Sequence, residues 1–307
     1  MTHAIPVPTS QTGAARRREG VETVTDAFVV HRNLLFTVAY EMLGSAADAE
    51  DVLQETWLRW AGVDPDIVQD QRAYLVRITT RQALTRLRTL RRRKETYIGP
   101  WLPEPLLTAP DVAEDIELAD SVSMAMLLVL ETLTPIERAV FVLREVFDLR
   151  YDEIAQAVDK SAATVRQIAH RARAHVAARR PRATVSTAET RDAIDAFRSA
   201  VETGDLRGLL DILAPDVVLL TDGGGLVPAA LAPVRGAEGV TFLLDRIAGR
   251  SLQLTQVNGH PALTIMQDGQ INTVIAVRVD DGLITGLYAV RNPEKLSRME
   301  REAVLRR

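Results

Sequence analysis

The stretch that most constrains how this chain can fold is YDEIAQAVDKSAATVRQIAHRARAHV, from Tyr151 to Val176. Apolar residues at helical spacing predict a short helix that ends near Val158, and Asp159 then interrupts the pattern. Ser161 is a good N-cap for a second helix, because its hydroxyl can accept a hydrogen bond from a free backbone N–H group of the first turn. Two amphipathic helices joined by a three-residue turn predict a helix-turn-helix, which reads DNA with its second helix.

The second helix of this unit has an apolar face and a polar face. The apolar face carries Val165, Ile168, Ala172 and Val176. The polar face carries small, amide and guanidinium side chains, which suit a major groove because Arg pairs with guanine edges and Gln with adenine edges. The residues predicted to contact DNA are Ala163, Thr164, Arg166, Gln167, His170, Arg171 and Arg173. A solvated surface helix has the same amphipathicity, but the turn, the cap and the small Ala155 together favour the DNA reader.

Charge is segregated along the 307 residues, although the formal net charge is only −4. Nine basic residues and one acid lie from Gln71 to Pro100, and seven basic residues and no acid lie from Lys160 to Arg182. Between these blocks, residues Glu104 to Asp120 include six acids and no base. Local charge decides electrostatic binding, so the two basic blocks predict two nucleic-acid contacts separated by an acidic connector. The length predicts two or three domains.

Composition excludes or disfavours several functional classes. The chain has no cysteine, which excludes disulfides, thiolate metal sites and cysteine nucleophiles. Its five histidines lack metal-ligand spacing, so no metal and no cofactor are expected. No apolar run has the length of a membrane span. Residues 1–20 lack the apolar segment of a signal peptide and are predicted to be a disordered tail, so we expect a cytoplasmic protein without membrane contact.

Residues 21–95 predict an all-helical domain. Apolar spacing indicates a helix over Val24 to Met42, a break at Gly44-Ser45 and a second helix over Ala46 to Trp60. A long helix follows from Arg72 to Lys94 and becomes more basic toward its end. Its arginines and interleaved aromatic residues favour a track for a nucleic-acid backbone over a solvated helix end. The residues predicted to contact DNA there are Arg72, Tyr74, Arg81, Arg88, Arg91, Arg92 and Arg93.

The order of these helices resembles that of an extracytoplasmic-function sigma factor of bacterial RNA polymerase. The resemblance rests on AEDVLQETWLRW, on RAYLVRITTRQALTRLR with its basic tail, and on LTPIERAVFVLREVFDLRYDEIAQAVDKSAATVRQIAHRARAHV. It implies sigma region 2 over 21–95, a connector over 96–120 and sigma region 4 over 121–180. It also implies binding to core RNA polymerase and to the minus-ten and minus-thirty-five elements of promoter DNA. The resemblance further implies that the acidic outer face of the second helix binds the polymerase. The residues of this face are Asp48, Asp51, Gln54 and Glu55.

The C-terminal part of the chain differs in its pattern of helices and strands. A Ser/Thr/Ala/Pro-rich linker is predicted over 181–188, a further domain over 189–298 and a tail over 299–307. Helices are predicted over Glu189 to Glu202, Leu206 to Leu213 and Val240 to Ile247. Strands are predicted over Val217 to Leu220, Leu252 to Val257, Ala262 to Gln267, Gln270 to Val279 and Leu283 to Val290. Asn258-Gly259, Asp268-Gly269 and Asp280-Asp281-Gly282 are typical hairpin turns, so the later strands are predicted to be antiparallel. The order indicates an α+β domain and resembles the SnoaL-like cone.

Three short motifs resemble those of a subclass of sigma factors that carry such a domain: WLPEP in the connector, and TDGGG and NPEKL in the C-terminal part. The predicted architecture is therefore two all-α sigma domains followed by an α+β SnoaL-like cone. Prolines stiffen the connector around two large apolar side chains, which need a surface to cover them. We expect the three motifs to meet and to set the activity of the sigma domains within one molecule, either by holding them inactive or by orienting them. The residues expected at this contact are Trp101, Leu102, Pro103, Asp222, Gly223, Gly224, Asn292, Pro293 and Lys295.

Two other functions stay open for the C-terminal domain. A SnoaL-like cone can enclose a pocket for acid–base chemistry, with Asp222, His260 or Arg291 as candidates here. These residues form no local catalytic signature, so we expect no enzyme activity. The same pocket could instead bind a small ligand and sense it without catalysis.

Overall fold

The computed structural model describes residues 11–109, 112, 115–179, 187–299 and 302–306. The helices of the N-terminal part are α1 (Gln11–Leu43), α2 (Ala46–Trp60), α3 (Gln71–Glu95), α4 (Ile116–Val122), α5 (Met124–Glu131), α6 (Pro135–Phe141), α7 (Tyr151–Val158) and α8 (Ala162–Ala177). A 3₁₀ turn over Pro65–Ile67 precedes α3, and a π-helical turn over Val142–Val146 extends α6. The C-terminal part contains α9 (Thr187–Thr203), α10 (Leu206–Ile212), β1 (Leu213–Asp222), β2 (Val234–Arg235), α11 (Ala237–Leu244), β3 (Gln253–Val257), β4 (His260–Gln267), β5 (Gln270–Asp280), β6 (Leu283–Val290) and α12 (Pro293–Leu296).

Local capping explains where the N-terminal helices begin. Ser45 accepts a hydrogen bond from the backbone of Asp48 and starts α2, directly after Gly44 in the left-handed region at φ +66°. Asp70 caps α3 in the same way. These helices bury the apolar stripe that their spacing predicts, with Leu35, Val38, Met42, Val52 and Leu75 almost fully inaccessible. The predicted all-helical N-terminal domain is therefore confirmed.

The helix-turn-helix forms as its sequence predicts. Helix α7 ends at Asp159, which adopts the left-handed conformation at φ +54°, a region that Asp tolerates better than most residues. Ser161 then accepts a hydrogen bond from the backbone N–H of Thr164 and starts α8. Before this unit, Thr134 and Glu137 form a capping box at the start of α6.

The two helical domains share one apolar core. Buried residues of α1 to α3 and of α5 to α8 belong to the same cluster, so the domains pack directly on each other. Helix α3 lies against α7, where Arg81 donates a hydrogen bond to the carbonyl oxygen of Gln156 at 2.8 Å. The basic helix of the first domain therefore touches the helix-turn-helix of the second.

The C-terminal domain has a sheet in the order β2-β1-β6-β5-β4-β3, and each face packs against a different part of the chain. The inner face packs on α9, α10 and α11 through residues that include Ile194, Phe197, Leu263, Ile275 and Leu287. The outer face packs on the connector and on α5 through residues that include Leu102, Met124, Ala262, Val274 and Tyr288. The alternation of side chains along each strand thus supplies one core inside the domain and another between domains.

The strand predictions need correction around β1. The strand begins at Leu213 and runs through Pro215, whereas we predicted a helix up to Leu213 and a strand only from Val217; it pairs in parallel with β6. Its register breaks between Leu213 and Val218, so the proline lies in a bulge where its missing N–H group interrupts no regular ladder. The short strand β2 was not predicted, because two residues carry no detectable alternation. The hairpins from β3 to β6 are antiparallel as predicted.

The predicted boundaries of the terminal segments also change. Helix α1 begins at Gln11, within the segment 1–20 that we predicted to be a disordered tail; residues 1–10 lie outside the described residues. The linker 181–188 lies outside them up to residue 186, and α9 begins at Thr187. At the C-terminal end, Leu305 is 4% exposed and packs into the core of the helical domains. Residues 302–306 are also bonded to the rest of the chain, because the backbone N–H of Ala303 donates to the carbonyl oxygen of Leu107 in the connector and that of Arg306 donates to the hydroxyl of Thr37 in α1.

Candidate DNA-reading surface and interdomain junction

Helix α8 presents a polar face to solvent. Arg166, Gln167, His170 and Arg171 are exposed and line an open surface concavity of about 420 Å³. Ala163 is also exposed on this face. Because Val165, Ile168, Ala169 and Ala172 are buried on the opposite side, the helix is held by its apolar face and offers guanidinium, amide and imidazole groups outward. These groups match the donors and acceptors of base edges in a major groove.

Two other residues predicted on this face are engaged within the protein. The hydroxyl of Thr164 lies 2.8 Å from that of Ser161, so it supports the helix cap. Arg173 lies 3.5 Å from Glu145, which draws it toward the π-helical turn. The guanidinium of Arg166 lies over the ring of Tyr151 at 5.5 Å, and this contact restricts the orientation of an exposed side chain.

The basic helix α3 is exposed only along part of its length. Arg72, Arg88, Arg91, Arg92 and Arg93 are solvent-exposed. Arg81 is exposed but bonded to α7, and Tyr74 is partly buried against Trp60, with ring centroids 5.7 Å apart. The arrangement thus leaves the C-terminal half of α3 free for a phosphate backbone and ties Arg81 and Tyr74 to internal contacts.

The acidic face of α2 is divided between solvent and an ion pair. Gln54 and Glu55 are exposed, whereas the expectation of a solvent-facing Asp48 is wrong, since its exposed fraction is 6%. Arg86 of α3 binds Asp48 at 2.6 Å and Asp51 at 2.7 Å. Asp48 lies in the first turn of α2, where it faces α3, so its carboxylate takes part in packing the two helices.

The residues of the WLPEP, TDGGG and NPEKL motifs converge around the carboxylate of Asp222, which has no exposed surface. One carboxylate oxygen accepts hydrogen bonds from the backbone N–H of Leu102 at 2.8 Å and from the ammonium of Lys295 at 2.7 Å. The other accepts from the hydroxyl of Tyr97 at 2.6 Å and from the backbone N–H of Gly224 at 3.1 Å. A buried carboxylate needs such a full set of donors, and here they come from both the connector and the C-terminal domain.

The neighbouring motif residues shape this junction. Asn292 donates to the Tyr97 hydroxyl at 2.8 Å and caps α12, with Pro293 in its first turn. Gly224 has φ +63°, and a Cβ atom there would collide with the Asn292 amide. Pro103 is buried in the connector, and Gly223 packs against the backbone of Val227. Glycine is therefore required where the turn meets α12.

Trp101 joins this junction to a second polar cluster. The ammonium groups of Lys94 and Lys295 lie 3.3 and 4.3 Å from the Trp101 ring centroid. Lys94 also pairs with Glu131 of α5, and Arg138 of α6 binds the other oxygen of Glu131 at 2.5 Å. Both helical domains and the C-terminal domain thus contribute charge around one indole.

Burial shifts several pKa values in these clusters. Desolvation lowers the pKa of Lys94 to about 8, although Glu131 opposes the shift. Desolvation also lowers the pKa of Lys295, against the attraction of Asp222. For Glu41 in α1, complete burial raises the pKa to about 8, despite the hydrogen bond from Ser121 and the charge of Arg138. The junction is thus a low-dielectric site in which each charge depends on its partner.

The candidates for acid–base catalysis have separate structural partners. Asp222 is surrounded by the four donors of the junction, the Nε2 atom of His260 lies 3.1 Å from the carbonyl oxygen of Ala119, and Arg291 donates to the carbonyl oxygen of Pro228. Among the described residues, no group of three or more His, Asp or Glu side chains could hold a metal ion. No described helix is both long and apolar enough to cross a membrane.

Several residues of the interdomain contact were missed by sequence reasoning. Tyr97 was not predicted at this contact, and Asn258 was predicted only as part of a hairpin turn, yet both bond across domains. The proximity of Tyr97 to WLPEP was an available signal. The roles of Glu41, Glu131 and Arg138 had none, because they depend on contacts between segments far apart in the chain.

Comparison with known proteins agrees with this division of the chain. Residues 28–93 match the family model for Sigma-70 region 2, and residues 123–176 match that for Sigma-70, region 4. The ECF RNA polymerase sigma factor SigJ of Mycobacterium tuberculosis is 35% identical over 289 residues, which cover 88% of this chain and 92% of SigJ. The probable ECF RNA polymerase sigma factor SigI of the same species is 33% identical, over 92% of this chain and 97% of SigI. The crystal structure of M. tuberculosis SigJ matches with a TM-score of 0.72 and 32% identity, over 89% of this chain and 98% of that one.

A helix-turn-helix domain and a basic helical domain, joined to an α+β domain, define a multidomain transcription factor. The chain belongs to the extracytoplasmic-function sigma factors of RNA polymerase, in the group with a C-terminal SnoaL-like domain. Its role is accordingly in transcription initiation, and its fold is that of sigma regions 2 and 4 followed by an α+β SnoaL-like domain.

Proposed function

We propose that this sigma factor directs promoter-specific initiation in the cytoplasm and that its C-terminal domain modulates this activity within the same molecule, by holding regions 2 and 4 together. The observation that carries the proposal is the Asp222 junction, where the connector and the C-terminal domain share one buried carboxylate. Core RNA polymerase and promoter DNA are the partners. Transcription by the reconstituted holoenzyme, with the junction intact or broken, tests the proposal.

Geometry supports a closed, inactive arrangement. The minus-ten and minus-thirty-five elements are separated by about 25 base pairs, on the order of 80 Å of B-DNA at 3.4 Å per base pair. In the structure α3 touches α7, through Arg77 and Arg81 on one side and Gln156 on the other. Two domains in direct contact cannot reach both elements at once, so regions 2 and 4 must separate when the polymerase and promoter engage them.

The contacts of the C-terminal domain favour the closed arrangement. Its outer sheet face packs on Leu102 of the connector and Met124 of α5, which excludes water from both. Removing such apolar area from water stabilises the contact by about 25 cal/mol per Å². The domain thus shifts the equilibrium between closed and open sigma regions toward the closed arrangement. The size of the shift is set by how much more strongly the domain binds the closed arrangement than the open one.

Base-specific reading by α8 gives a first prediction. We expect Arg166→Ala to weaken binding at particular base pairs, by about 1–3 kcal/mol each, because a guanidinium that pairs with a base edge discriminates by that amount. The measurement is binding of the holoenzyme to a panel of promoters with single base-pair changes. Arg92→Ala is the matched control on the other basic surface, and it should weaken binding to all sequences alike and reduce the salt dependence. An equal loss on every promoter for Arg166→Ala would mean that α8 positions the DNA without reading it.

Docking to the polymerase gives a second prediction. The double substitution Gln54→Lys, Glu55→Lys should reduce the affinity for core enzyme at least several-fold, since both side chains are exposed on α2 and free of described ion pairs. Exposed substitutions rarely cost much stability, so the melting temperature should stay within a few degrees of that of the parent. The control is Glu238→Lys on α11, an exposed carboxylate of the C-terminal domain. Equal core binding by the doubly substituted and parent chains in a titration would remove this face from the polymerase interface.

A further inference from the structure

We infer that the turn between β3 and β4, Asn258–Gly259, is a second interdomain binding site, which recognises regions 2 and 4 only while they lie side by side. The inference deepens the proposed function and rests on it for its biological meaning. The turn lies at the opposite end of the connector contact from the Asp222 junction: its partners are Tyr40, Leu106, Thr108, Ala119 and Val122.

The side chain of Asn258 is 1% exposed and is bonded to three segments of the sigma part. Its amide nitrogen donates to the hydroxyl oxygen of Tyr40 in α1 at 2.7 Å and to the carbonyl oxygen of Val122 in α4 at 2.8 Å. Its amide oxygen accepts from the backbone N–H of Leu106 in the connector at 3.0 Å. The backbone N–H of Asn258 donates to the carbonyl oxygen of Leu106 at 2.9 Å.

This pattern makes the contact conditional on the closed arrangement. Both protons of one amide nitrogen are used, one by region 2 and the other by the helix that leads into region 4. Tyr40 and Val122 must therefore lie within hydrogen-bond distance of the same atom. If the two regions separate, at least one of these bonds is lost, and a buried amide without its partners is costly.

Gly259 supports the same conclusion by close approach. It has φ +75°, and a Cβ atom built on it would lie 2.8 Å from both the Cα and the Cβ of Ala119. Its backbone N–H donates to the hydroxyl of Thr108 at 2.9 Å. Ordinary hairpin turns of this type project into solvent, as the equivalent turn at Asp268–Gly269 does, where Gly269 has no neighbour within 4 Å. The β3–β4 turn is inserted between the domains instead.

The two turns supply a matched pair of variants. Asn258 and Asp268 both have left-handed backbones, at φ +55° and +53°, so glycine can replace either without backbone strain. Asn258→Gly removes the interdomain hydrogen bonds of the side chain and keeps the turn, whereas Asp268→Gly changes the same kind of turn in an exposed position. Because the chain has no cysteine, Ala61→Cys and Ala174→Cys give two exposed labelling sites, one in each sigma domain.

The experiment measures energy transfer between dyes at these positions in the full-length chain, free and bound to core polymerase. We expect Asn258→Gly to lower the ratio of closed to open molecules roughly tenfold or more in the free protein, since several buried hydrogen bonds are lost together. Asp268→Gly should leave the ratio unchanged. Tyr40→Phe tests the site from region 2, with a smaller shift in the same direction, and combining it with Asn258→Gly should add little.

The outcomes separate this inference from the proposed function. Unchanged energy transfer in folded Asn258→Gly would overturn the recognition role of the turn, and so would a shift of equal size in Asp268→Gly. If Asn258→Gly does not fold by circular dichroism, an unchanged ratio in Tyr40→Phe overturns it equally. An opened Asn258→Gly chain with parental transcription would establish the site and refute modulation by the C-terminal domain.

Discussion

Replacing Asp222 with Ala in the full-length chain is expected to open the interdomain junction and to raise promoter-dependent transcription. The substitution leaves the ammonium of Lys295 buried without its carboxylate, a loss that costs about 3–5 kcal/mol in buried ion pairs. It also removes the acceptor for Tyr97 and for the backbone of Leu102. The contact energy that holds the domains together is lost, whereas the inner core of the C-terminal domain keeps its apolar packing.

Small-angle scattering and transcription by the reconstituted holoenzyme measure this effect. The radius of gyration of the free chain should increase, and Trp101→Ala should give a smaller change of the same kind because it removes the contacts with Lys94 and Lys295. Asp216→Ala, an exposed carboxylate in the same strand, is the control. A compact shape together with parental transcription in Asp222→Ala would refute cis modulation through the junction. An open shape with reduced transcription would show that the domain orients the sigma regions for the polymerase.

Point substitutions test regulation by the C-terminal domain more specifically than truncation does. A chain that ends near residue 182 loses the sheet face that covers Leu102 and Met124, together with the segment that places Leu305 in the helical core. Such a truncation would change activity through newly exposed apolar surface as well as through lost regulation.

The substitution Glu41→Gln is expected to flatten the pH dependence of stability between about pH 4.5 and pH 8. Burial raises the pKa of Glu41 to about 8 from the ordinary value of 4.5, so the folded protein binds a proton that the unfolded chain releases over this interval. Stability from this group is fully present below pH 4.5 and is lost progressively as the pH rises to about 8. At 1.36 kcal/mol per unit of pKa, the change amounts to a few kcal/mol at most.

The surroundings of Glu41 support a neutral carboxyl group. Ser121 lies 2.8 Å from both Glu41 and the carbonyl oxygen of Leu118, yet it has a single hydroxyl proton for these two acceptors. A protonated Glu41 removes the conflict by donating to Ser121 while Ser121 donates to Leu118. The charge of Arg138 acts on the Glu41 carboxyl group, and the Arg138 guanidinium donates to the backbone oxygen of Glu41 at 2.8 Å and also binds Glu131.

Urea unfolding at several pH values provides the measurement. The free energy of unfolding of Glu41→Gln should equal that of the parent near pH 5 and exceed it near pH 8. The reason is that the amide mimics the neutral acid and cannot ionise. Asp26→Asn, an exposed position in the same helix, should follow the parent at every pH. The pKa of Lys94 is lowered to about 8, so this group makes stability rise with pH only above about pH 8, whereas Glu41 makes stability fall with pH below that value, and the two groups are distinguishable. Parallel pH profiles for parent and Glu41→Gln would refute the buried neutral carboxyl.

Local features of the chain were predictable because their causes are local. The bounds of α2, the left-handed Asp159 and the cap at Ser161 follow from apolar spacing and from residues a few positions apart. The polar face of α8 follows from the same periodicity, since a helix held by Val165 and Ile168 must turn Arg166 and Gln167 outward. The order of the sigma helices and the three short motifs indicated the family and the parts of the chain that meet.

Tertiary structure alone decided how those parts are used. The sequence predicts Asp48 to be a solvent-facing acid, but in the fold Arg86 of α3 binds it. The sequence predicts Asn258 to be only a turn residue, but in the fold its amide binds Tyr40 of α1 and Val122 of α4. No spacing along the chain encodes these contacts, because their partners lie 38, 218 and 136 residues away. The sequence by itself determined which helices and strands form and which face of each is apolar. The packing of three domains against one another determined which polar groups are buried, because burial depends on the surfaces that meet.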